Sequence, residues 1–309
     1  MDRRAARTAP LEGVIVADFS RVLAGPLAAM VLGDLGADVV KVERPEGDDT
    51  RSWGPPLGAD GASTYFQSVN RNKRSLVLNL RDPGDVALAR ELALRADVLI
   101  ENFSPGTMAR LGLDLAELRA DNPRLVSCSV TGFGADAQLP GYDLLIQAVG
   151  GLMSVTGEPD RPPVKVGVAV VDVIAGLYAT VAVLAALRER ERSGSGQHID
   201  VSLFAALLAA LVNQASAYLG AGVVPQRMGN AHPSIVPYES FAAADGDVVV
   251  AVGNDRQFAS LCAELGADEL AGDERFATNP VRVANRAELL AALAPRFALR
   301  TRADLASRL

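Results

Sequence analysis

The chain has 309 residues, a length that fits one large and one smaller domain. Of these residues 49% are hydrophobic and 22% charged, which is typical of a globular protein. Its formal net charge of -7 argues against nucleic acid or an anionic membrane as a partner. Two cysteines and two histidines are too few for a disulfide framework or a typical zinc site. No apolar segment long enough for a signal peptide follows the basic N-terminus, so we expect a cytoplasmic protein.

The first part of the chain alternates between strand-like apolar segments and helical patterns. The predicted strands are 13–19, 37–43, 97–102 and 124–130, and the predicted helices between them are 25–36, 85–96 and 108–123. Apolar strands separated by amphipathic helices indicate βαβ units and a parallel sheet covered on both faces. The predicted fold class is therefore α/β, with a Rossmann-like doubly wound parallel sheet.

Two long apolar segments follow, at 170–187 and 203–221, and each contains polar residues. Neither has the uninterrupted apolar length of roughly 20 residues that a membrane span needs, so we predict buried helices and no membrane partner. From residue 229 onward the pattern changes to short strands, a turn at 244–246 and helices. The predicted domains are a large α/β domain at 1–204, a linker helix at 205–228 and a small α+β domain at 229–309.

The segments that follow the predicted strands are the candidate ligand site, because open α/β sheets bind ligands beyond the carboxyl ends of their strands. The first of them, "SRVLAGP", lacks the GxGxxG pattern, and the chain contains no P-loop, which disfavours a nicotinamide enzyme. A phosphate-bearing ligand would then need arginines, helix N-termini and backbone amides. Arg44, Arg81 and Arg110 are the candidates, and solvated surface arginines are the alternative interpretation.

In the segment "VGVAVVDVIAGLYATVAVLAALRER" at 166–190, Asp172 is the single carboxylate of the apolar part, 166–187. One interpretation is a helix N-cap, with Ala175, Gly176 and Ala179 allowing close packing. The other is a nucleophile, since the helix dipole would keep the carboxylate anionic while apolar neighbours leave it poorly solvated and reactive. Carboxylates can form covalent acyl intermediates. The residues alone leave both interpretations open.

Five segments together resemble the class III CoA-transferases, the family of formyl-CoA transferase and carnitine CoA-transferase. They are "LEGVIVADFSRVLAGPLAAMVLGDLGADVVKVERPEGDDTR", "NRNKRSLVLNL", "DVLIENFSPGTMARLGL", "PGYDLLIQAVGGLMSVTGEPDRPPVKVGVAVVDVIAGLYA" and "SGSGQHIDVSLFAALL". The segment "GNAHPSIVPYESF" is similar to family members that use succinyl-CoA and dicarboxylic acids. The resemblance implies transfer of CoA from an acyl-CoA, with succinyl-CoA as first candidate, to a free carboxylic acid.

The resemblance also implies a mechanism and an assembly. The family's catalytic aspartate corresponds to Asp172, which would form an anhydride with the donor acid and then a thioester with CoA. Coenzyme A and acyl-CoA are substrates, and neither a metal nor a covalently bound cofactor is implied. Family members form dimers with interlocked chains, so we expect a homodimer.

The CoA contacts that the resemblance implies come from several segments. They are Leu23, Ala24, Arg44, Leu78 to Arg81 on a further strand, Asn102, Phe103, Arg110, and Tyr142 with Asp143 beside the nucleophile. Leu23 replaces the glutamine of formyl-CoA transferases, which leaves the acyl preference open. We hypothesise that His232 and nearby backbone amides bind the acceptor carboxylate, and a loop histidine without a ligand role is the alternative.

Two alternative functions remain within the resemblance. Acyl-CoA racemases of the superfamily carry histidine where this chain has Tyr142, and a phenol that ionises near pH ~10 is a poor base. This departure favours a transferase over a racemase. Family members also continue beyond the position of Leu309 and return to the large domain, so a CoA-binding protein without catalysis is the second alternative.

Overall fold

A six-stranded parallel sheet organises the first part of the chain in the computed structural model, which describes residues 9–137 and 139–309. The strands are β1 (Ile15–Asp18), β2 (Asp38–Glu43), β3 (Lys73–Val77), β4 (Val98–Glu101), β5 (Val126–Thr131) and β6 (His198–Ser202). Their order is β3-β2-β1-β4-β5-β6, and all neighbours are parallel. This is the strand order of doubly wound dinucleotide-binding sheets, so the predicted fold class is confirmed.

Nine helices of the described residues accompany this sheet. They are α1 (Ala24–Asp34), α2 (Thr64–Ser68), α3 (Pro83–Arg95), α4 (Thr107–Arg110), α5 (Leu115–Asp121), α6 (Asp143–Val149), α7 (Val170–Ser193), α8 (Leu203–Ala210) and α9 (Val212–Ala221). The single helix predicted at 108–123 is wrong, because α4 and α5 are separate. Gly112 adopts a left-handed φ of 76° between them, and Asp114 caps α5 through the backbone N–H groups of Ala116 and Glu117.

The central strands are buried on both faces because their side chains alternate between two hydrophobic clusters. Val98 and Ile100 of β4 belong to the cluster that includes α1, α7 and α8. Leu99, between them, belongs to the cluster that includes α3 and α5. Continuous apolar strands of this kind are the pattern from which β1, β2, β4 and β5 were predicted.

Helix α7 is long and apolar enough to cross a membrane by length and composition. In the structure it is a core helix, since Val171, Ala175 and Ala179 are fully buried in the cluster beside α1. A Cβ atom at Gly176 would lie 2.7 Å from the carbonyl oxygen of Ala24, so glycine is required where the two helices meet. This contact brings the N-terminal end of α1 close to the first turns of α7.

The apolar segment at 203–221 contains two helices rather than one, and α8 and α9 meet at an angle of 76°. Leu203 and Leu207 of α8 are buried, whereas Leu219 of α9 is 82% exposed. The prediction of a buried helix therefore applies to α8 and is wrong for α9. Residues 223–228, within the predicted linker helix at 205–228, are not helical.

Contacts group the chain into two compact units, Met1–Leu152 with Lys165–Val223, and Met153–Val164 with Val224–Leu309. The second unit contains the antiparallel pair β7 (Tyr238–Ala243) and β8 (Gly246–Ala251). Its helices are α10 (Asp255–Leu265), α11 (Asp268–Ala271), α12 (Asn279–Ala284), α13 (Arg286–Ala298) and α14 (Arg302–Arg308). The strands, the turn at 244–246 and the following helices agree with the predicted pattern. The domain limits at 204, 205–228 and 229 remain predictions.

Arg282 organises the core of the second unit. Its guanidinium is completely buried and donates to the carbonyl oxygens of Val236 and Phe276, both at 2.9 Å, and to Asp255 at 2.7 Å. It also lies 4.4 Å from the centre of the Phe258 ring. A buried charge with all these partners ties α12 to the segment before β7 and to the start of α10.

Candidate active site

Asp172 lies in the first turn of α7 but does not cap the helix. Ala169 occupies the N-cap position, so the capping interpretation of Asp172 is wrong. The capping donor, the backbone N–H of Val171, is instead bonded to Oδ1 of Asp143 at 2.8 Å. No hydrogen bond to the Asp172 carboxylate is found among residues 9–137 and 139–309, and this carboxyl lines a small cavity.

The Asp172 carboxyl is held near the midpoint of its titration at neutral pH. Burial and, second, the charge of Asp143 raise its pKa to about 7. The expectation that the helix dipole keeps this group anionic is therefore not met, because loss of hydration and a like charge outweigh the dipole. In its ionised form the group is a poorly solvated carboxylate, which suits a nucleophile.

Tyr65 of α2 is a third titratable group beside the two aspartates, and the sequence offered no signal for it. Burial, followed by the charges of Asp172 and Asp143, raises the pKa of its phenol. Tyr65 therefore stays neutral beside the carboxyl pair at physiological pH. Tyr142, in contrast, precedes α6 with its side chain 69% exposed, and it lines neither of the two cavities described next.

Two cavities meet at Phe103. The smaller, of about 110 Å³, is lined by Asp172, Ala24 and Asn102 among others. The larger, of about 530 Å³, is lined by Arg44, Leu78 and Arg81 among others. Phe103 lines both, so the two cavities border the same side chain.

Three arginines line the larger cavity, together with Lys41 and the acidic side chains of Glu43, Glu46 and Asp48. Arg44 is bonded to the Gly47 carbonyl at 3.0 Å and paired with Asp49, and Arg21 lies 5.1 Å from the centre of the Phe103 ring. The Arg81 side chain is exposed and has no ion pair among the residues that the structure describes. Arg81 is therefore the cation of this cavity with most freedom to bind an anionic ligand.

Asn102 supports the loop at 20–23 as well as lining the small cavity. Its Oδ1 accepts the backbone N–H of Arg21 at 2.8 Å, and its Nδ2 donates to the Arg21 carbonyl at 2.7 Å. The next residue, Val22, has a left-handed φ of 69°, which is unfavourable for a β-branched side chain. Two side-chain bonds from Asn102 and one from Asp48, at 3.3 Å to the Val22 N–H, hold this strained backbone in place.

The CoA contacts predicted at the backbone of Leu23, at Leu78 to Arg81 and at Arg110 remain predictions. The Leu23 side chain packs against Met30 and Val69 and does not line either cavity. Residues Leu78 to Arg81 do line the larger cavity, but they follow β3 rather than forming a strand. Arg110 lines neither cavity, and its Nη2 donates to Thr107 Oγ1 at 2.6 Å.

His232 belongs to the second unit, and its role in acceptor binding remains a prediction. Its Nδ1 accepts the backbone N–H of Ser234 at 3.0 Å, and its ring centre lies 5.3 Å from that of Tyr238. The ring nitrogen Nε2 is the atom that these contacts leave for another partner.

Sequence reasoning missed a buried ionic network beneath the segment 20–26, which is the 20–23 loop and the start of α1. Lys41 is paired with Asp48 at 3.0 Å, and Lys73 is paired with Asp18 at 2.9 Å. All four side chains are at most 2% exposed. The two ammonium groups also donate to backbone carbonyls of this segment, Lys41 to Ser20 in the loop and Lys73 to Pro26 in α1, both at 2.8 Å. The only available signal was a lysine inside the apolar strand "VVKVE".

Within residues 9–137 and 139–309, no group of three or more His, Cys, Asp and Glu side chains is placed to hold a metal ion. The site consists of a carboxyl pair, a neutral phenol, an apolar ring shared by two cavities, and arginines at the far end. This arrangement can bind an anionic, partly apolar molecule and present one end of it to a carboxylate.

Comparisons with known proteins agree with this arrangement. The family described as CoA-transferase family III matches residues 11–309. A succinate–glutarate CoA-transferase of Agrobacterium fabrum is 51% identical over 292 residues, which are 92% of this chain and 73% of that protein. The succinyl-CoA:glutarate CoA-transferase of Mus musculus is 47% identical over 94% of this chain and 67% of its own. The crystal structure of a CaiB/BaiF family protein from Brucella suis superposes with a TM-score of 0.85 at 50% identity, covering 97% of this chain and 81% of the other.

Proposed function

The chain belongs to CoA-transferase family III, and we propose that it transfers CoA from a dicarboxylic acyl-CoA to a free dicarboxylic acid by covalent catalysis at Asp172. As a member of that family it is an enzyme that transfers CoA. The names of the bacterial and mouse relatives support succinyl-CoA as donor and glutarate as the first acceptor to test. Coenzyme A and its thioesters enter this reaction as substrates.

In the first half-reaction an Asp172 carboxylate oxygen attacks the thioester carbonyl carbon of the donor. The C–S bond breaks, the CoA thiolate leaves with the electron pair, and a mixed anhydride joins Asp172 to the donor acyl group. The thiolate then attacks the Asp172 carbonyl carbon of this anhydride. The donor acid leaves as a carboxylate, and Asp172 becomes a thioester of CoA.

In the second half-reaction the acceptor carboxylate attacks the aspartyl thioester and expels the CoA thiolate, which gives a new anhydride. The thiolate attacks the acceptor's carbonyl carbon in that anhydride, so the acceptor leaves as its CoA thioester. Asp172 returns to its starting carboxylate. No proton is gained or lost over the cycle, so the residues around Asp172 need to stabilise charge and exclude water rather than transfer protons.

One observation carries this proposal: a carboxyl to which no described residue donates a hydrogen bond lies in a small cavity that shares the Phe103 ring with a larger cavity, whose lining includes three arginines. The CoA nucleotide carries several phosphate charges, and arginine binds phosphate well. We assign the nucleotide end to the cavity with Arg44 and Arg81, the pantetheine arm to the region of Phe103 and Ala24, and the thioester to Asp172.

A racemase is the second candidate within the family, and the site does not favour it. A racemase needs two groups that exchange a proton at the α-carbon of the acyl group. Tyr142 occupies the position at which racemases of the superfamily carry one of these groups, a histidine. The exposed Tyr142 side chain does not line the small cavity with Asp172. Tyr65 is nearer to the carboxyl pair, but its raised pKa makes it a poor base.

Incubation with succinyl-CoA and isotopically labelled glutarate tests the function. A transferase places the label in glutaryl-CoA and releases succinate. A racemase exchanges the α-proton of a chiral 2-methylacyl-CoA in deuterated water without moving CoA, and a protein that only binds CoA gives neither product. The Asp172→Asn variant is the control, and label in glutaryl-CoA at an unchanged rate in that variant would contradict the proposed nucleophile.

The role of His232 and the homodimer are parts of the same proposal. His232→Ala is expected to raise the KM for glutarate with the KM for succinyl-CoA unchanged, and unchanged values for both would remove His232 from the acceptor site. Exposed apolar side chains on α7 and α9, among them Val181 and Leu219, support burial against a second chain. Sedimentation of an active monomer would contradict the dimer.

A further inference from the structure

Gln147 of α6 is a completely buried amide with a fixed orientation. Its Oε1 accepts the backbone N–H of Val166 at 2.9 Å, and its Nε2 donates to Oδ2 of Asp143 at 2.6 Å. A backbone N–H group can only donate, so the amide oxygen must face Val166. The NH₂ group must then face Asp143, and the alternative amide orientation is excluded by the hydrogen bonds themselves.

Asp143 is therefore surrounded by donors. Its Oδ2 receives the Gln147 amide, and its Oδ1 receives the backbone N–H of Val171 at 2.8 Å. A protonated Asp143 would accept these two bonds less strongly, because a carboxylate oxygen is a better acceptor than the oxygens of a neutral carboxyl. Because both neighbours can only donate, the geometry retains Asp143 as an ionised carboxylate that accepts at both oxygens.

Asp172 is one residue from Val171 and lacks comparable donors within the described chain. The titratable groups nearest to it are Asp143 from α6 and Tyr65 from α2. The other elements packed against α7 add little: α8 has no titratable side chain, and α1 carries only Asp34 at its far end. Strand β5 contributes the buried Cys128 thiol, and His198 and Asp200 of β6 line a separate cavity with α5.

We infer that Gln147 is a positioning residue that decides which of the two neighbouring carboxyls carries a proton, by holding Asp143 ionised and leaving Asp172 as the one that titrates. Gln147 acts through Asp143 and lines neither of the two cavities. The consequence for catalysis rests on the proposed function, because only a nucleophilic Asp172 makes the proton's location matter for the rate. The location of the proton itself does not depend on that function.

Carbon-13 NMR of protein labelled at the aspartate and glutamate side-chain carboxyls tests the inference directly. In the wild-type chain we expect one carboxyl to titrate near neutral pH and to be missing from Asp172→Asn, while the Asp143 carboxyl, assigned with Asp143→Asn, stays ionised. In Gln147→Leu, Asp143 loses a donor, so two coupled titrations are expected. In the isosteric Gln147→Glu, the new carboxyl keeps the Val166 bond but faces Asp143, so the pair must share one additional proton near neutral pH.

Gln257→Leu is the matched control, since the Gln257 amide also accepts a backbone N–H, that of Gly253 at 2.8 Å, on α10 of the second unit. This variant should leave both aspartate titrations unchanged. An Asp143 carboxyl that titrates near neutral pH in the wild-type chain would overturn the inference. So would unchanged titrations in both Gln147 variants, because Gln147 would then only fill space.

Kinetics separate this inference from the proposed function. In Gln147→Leu, Asp143 can take up a proton and no longer keeps its full charge beside Asp172, so the rising limb of kcat/KM for succinyl-CoA should move to lower pH. Full turnover in Asp172→Asn would refute the nucleophile, while the NMR assignment of the proton would still stand. An unchanged pH profile of kcat/KM together with altered titrations in Gln147→Leu would refute the link between the two.

Discussion

The Asp143 carboxylate accepts the backbone N–H of Val171 at 2.8 Å, so one carboxylate caps the helix that carries the other. In an ordinary helix this donor would stabilise an anion of the first turn. Here Asp143 takes the donor and adds its own charge beside Asp172, and burial removes water from the same carboxyl. The pKa of Asp172 therefore rises to about 7. A poorly solvated carboxyl of this kind lowers the stability of the fold, which is common at functional sites.

The first prediction concerns pH. The proposed reaction needs the Asp172 carboxylate, and a pKa of about 7 means that this form is lost as the pH falls through neutrality. We expect kcat/KM for succinyl-CoA to rise between about pH 6 and about pH 8 with one ionisation. Asp143→Asn removes the neighbouring charge, so the rising limb should move to lower pH. If kcat/KM in this variant rises at the same pH as in the wild type, Asp143 does not act on Asp172.

Asn102 is predicted to act through the loop that it holds. Asn102→Ala removes both bonds to the Arg21 backbone and releases the strained Val22, so the KM for acyl-CoA should rise by about tenfold. Asn122→Ala is the matched control, because the Asn122 amide also supports a loop, through the carbonyls of Leu94 and Ala96. The control should unfold at a lower urea concentration than the wild type, with its KM for acyl-CoA unchanged. Equal KM values for acyl-CoA in the two variants would contradict the prediction.

Arg81 is predicted to bind a phosphate of CoA. Arg81→Gln should weaken CoA binding, measured by calorimetry, by about tenfold at low salt and by less at high salt, because screening already reduces this contact there. Arg74→Gln is the control, since Arg74 is an exposed arginine of β3 that is paired with Asp38. Identical binding constants for the two variants would exclude Arg81 from the nucleotide site.

The buried Lys73–Asp18 pair is predicted to matter for stability. Lys73→Met leaves the Asp18 carboxylate buried without its cation and removes the bond to the Pro26 carbonyl, so unfolding free energy should fall by about 3–5 kcal/mol. The double variant Lys73→Met, Asp18→Leu should recover part of this loss, because no charge is then left unpaired. Urea unfolding measures both, and a single variant as stable as the wild type would contradict the account of this network.

Much of the sheet was predictable, and the exceptions have physical reasons. The strands β1, β2, β4 and β5 are buried on both faces and read as apolar segments. The strand β3, "KRSLV", lies at the edge of the sheet with most of its side chains exposed or half-buried, so its composition resembles a loop. Helix α9 is apolar without being buried, and local sequence cannot distinguish those two conditions.

The active site was predictable in its central residue and not in its supports. A carboxylate in an apolar segment made Asp172 a candidate, and the resemblance implied its catalytic role and the place of Asp143 beside it. The contact between Asp143 and Val171, the Gln147 clamp on Asp143, and the pairing of Lys73 with Asp18 each join residues that are distant in sequence or unremarkable in type. Only the packing of α6 on α7, and the strand order β3-β2-β1, bring these groups together.

The central claim is that Asp172 forms a covalent bond to the transferred group, and trapping tests it most directly. The protein is incubated with succinyl-CoA, treated with hydroxylamine or borohydride, digested, and analysed by mass spectrometry. Our account predicts a hydroxamate or reduced side chain on Asp172, formed only when succinyl-CoA is present. Continued transfer of CoA with an unmodified Asp172 would contradict it.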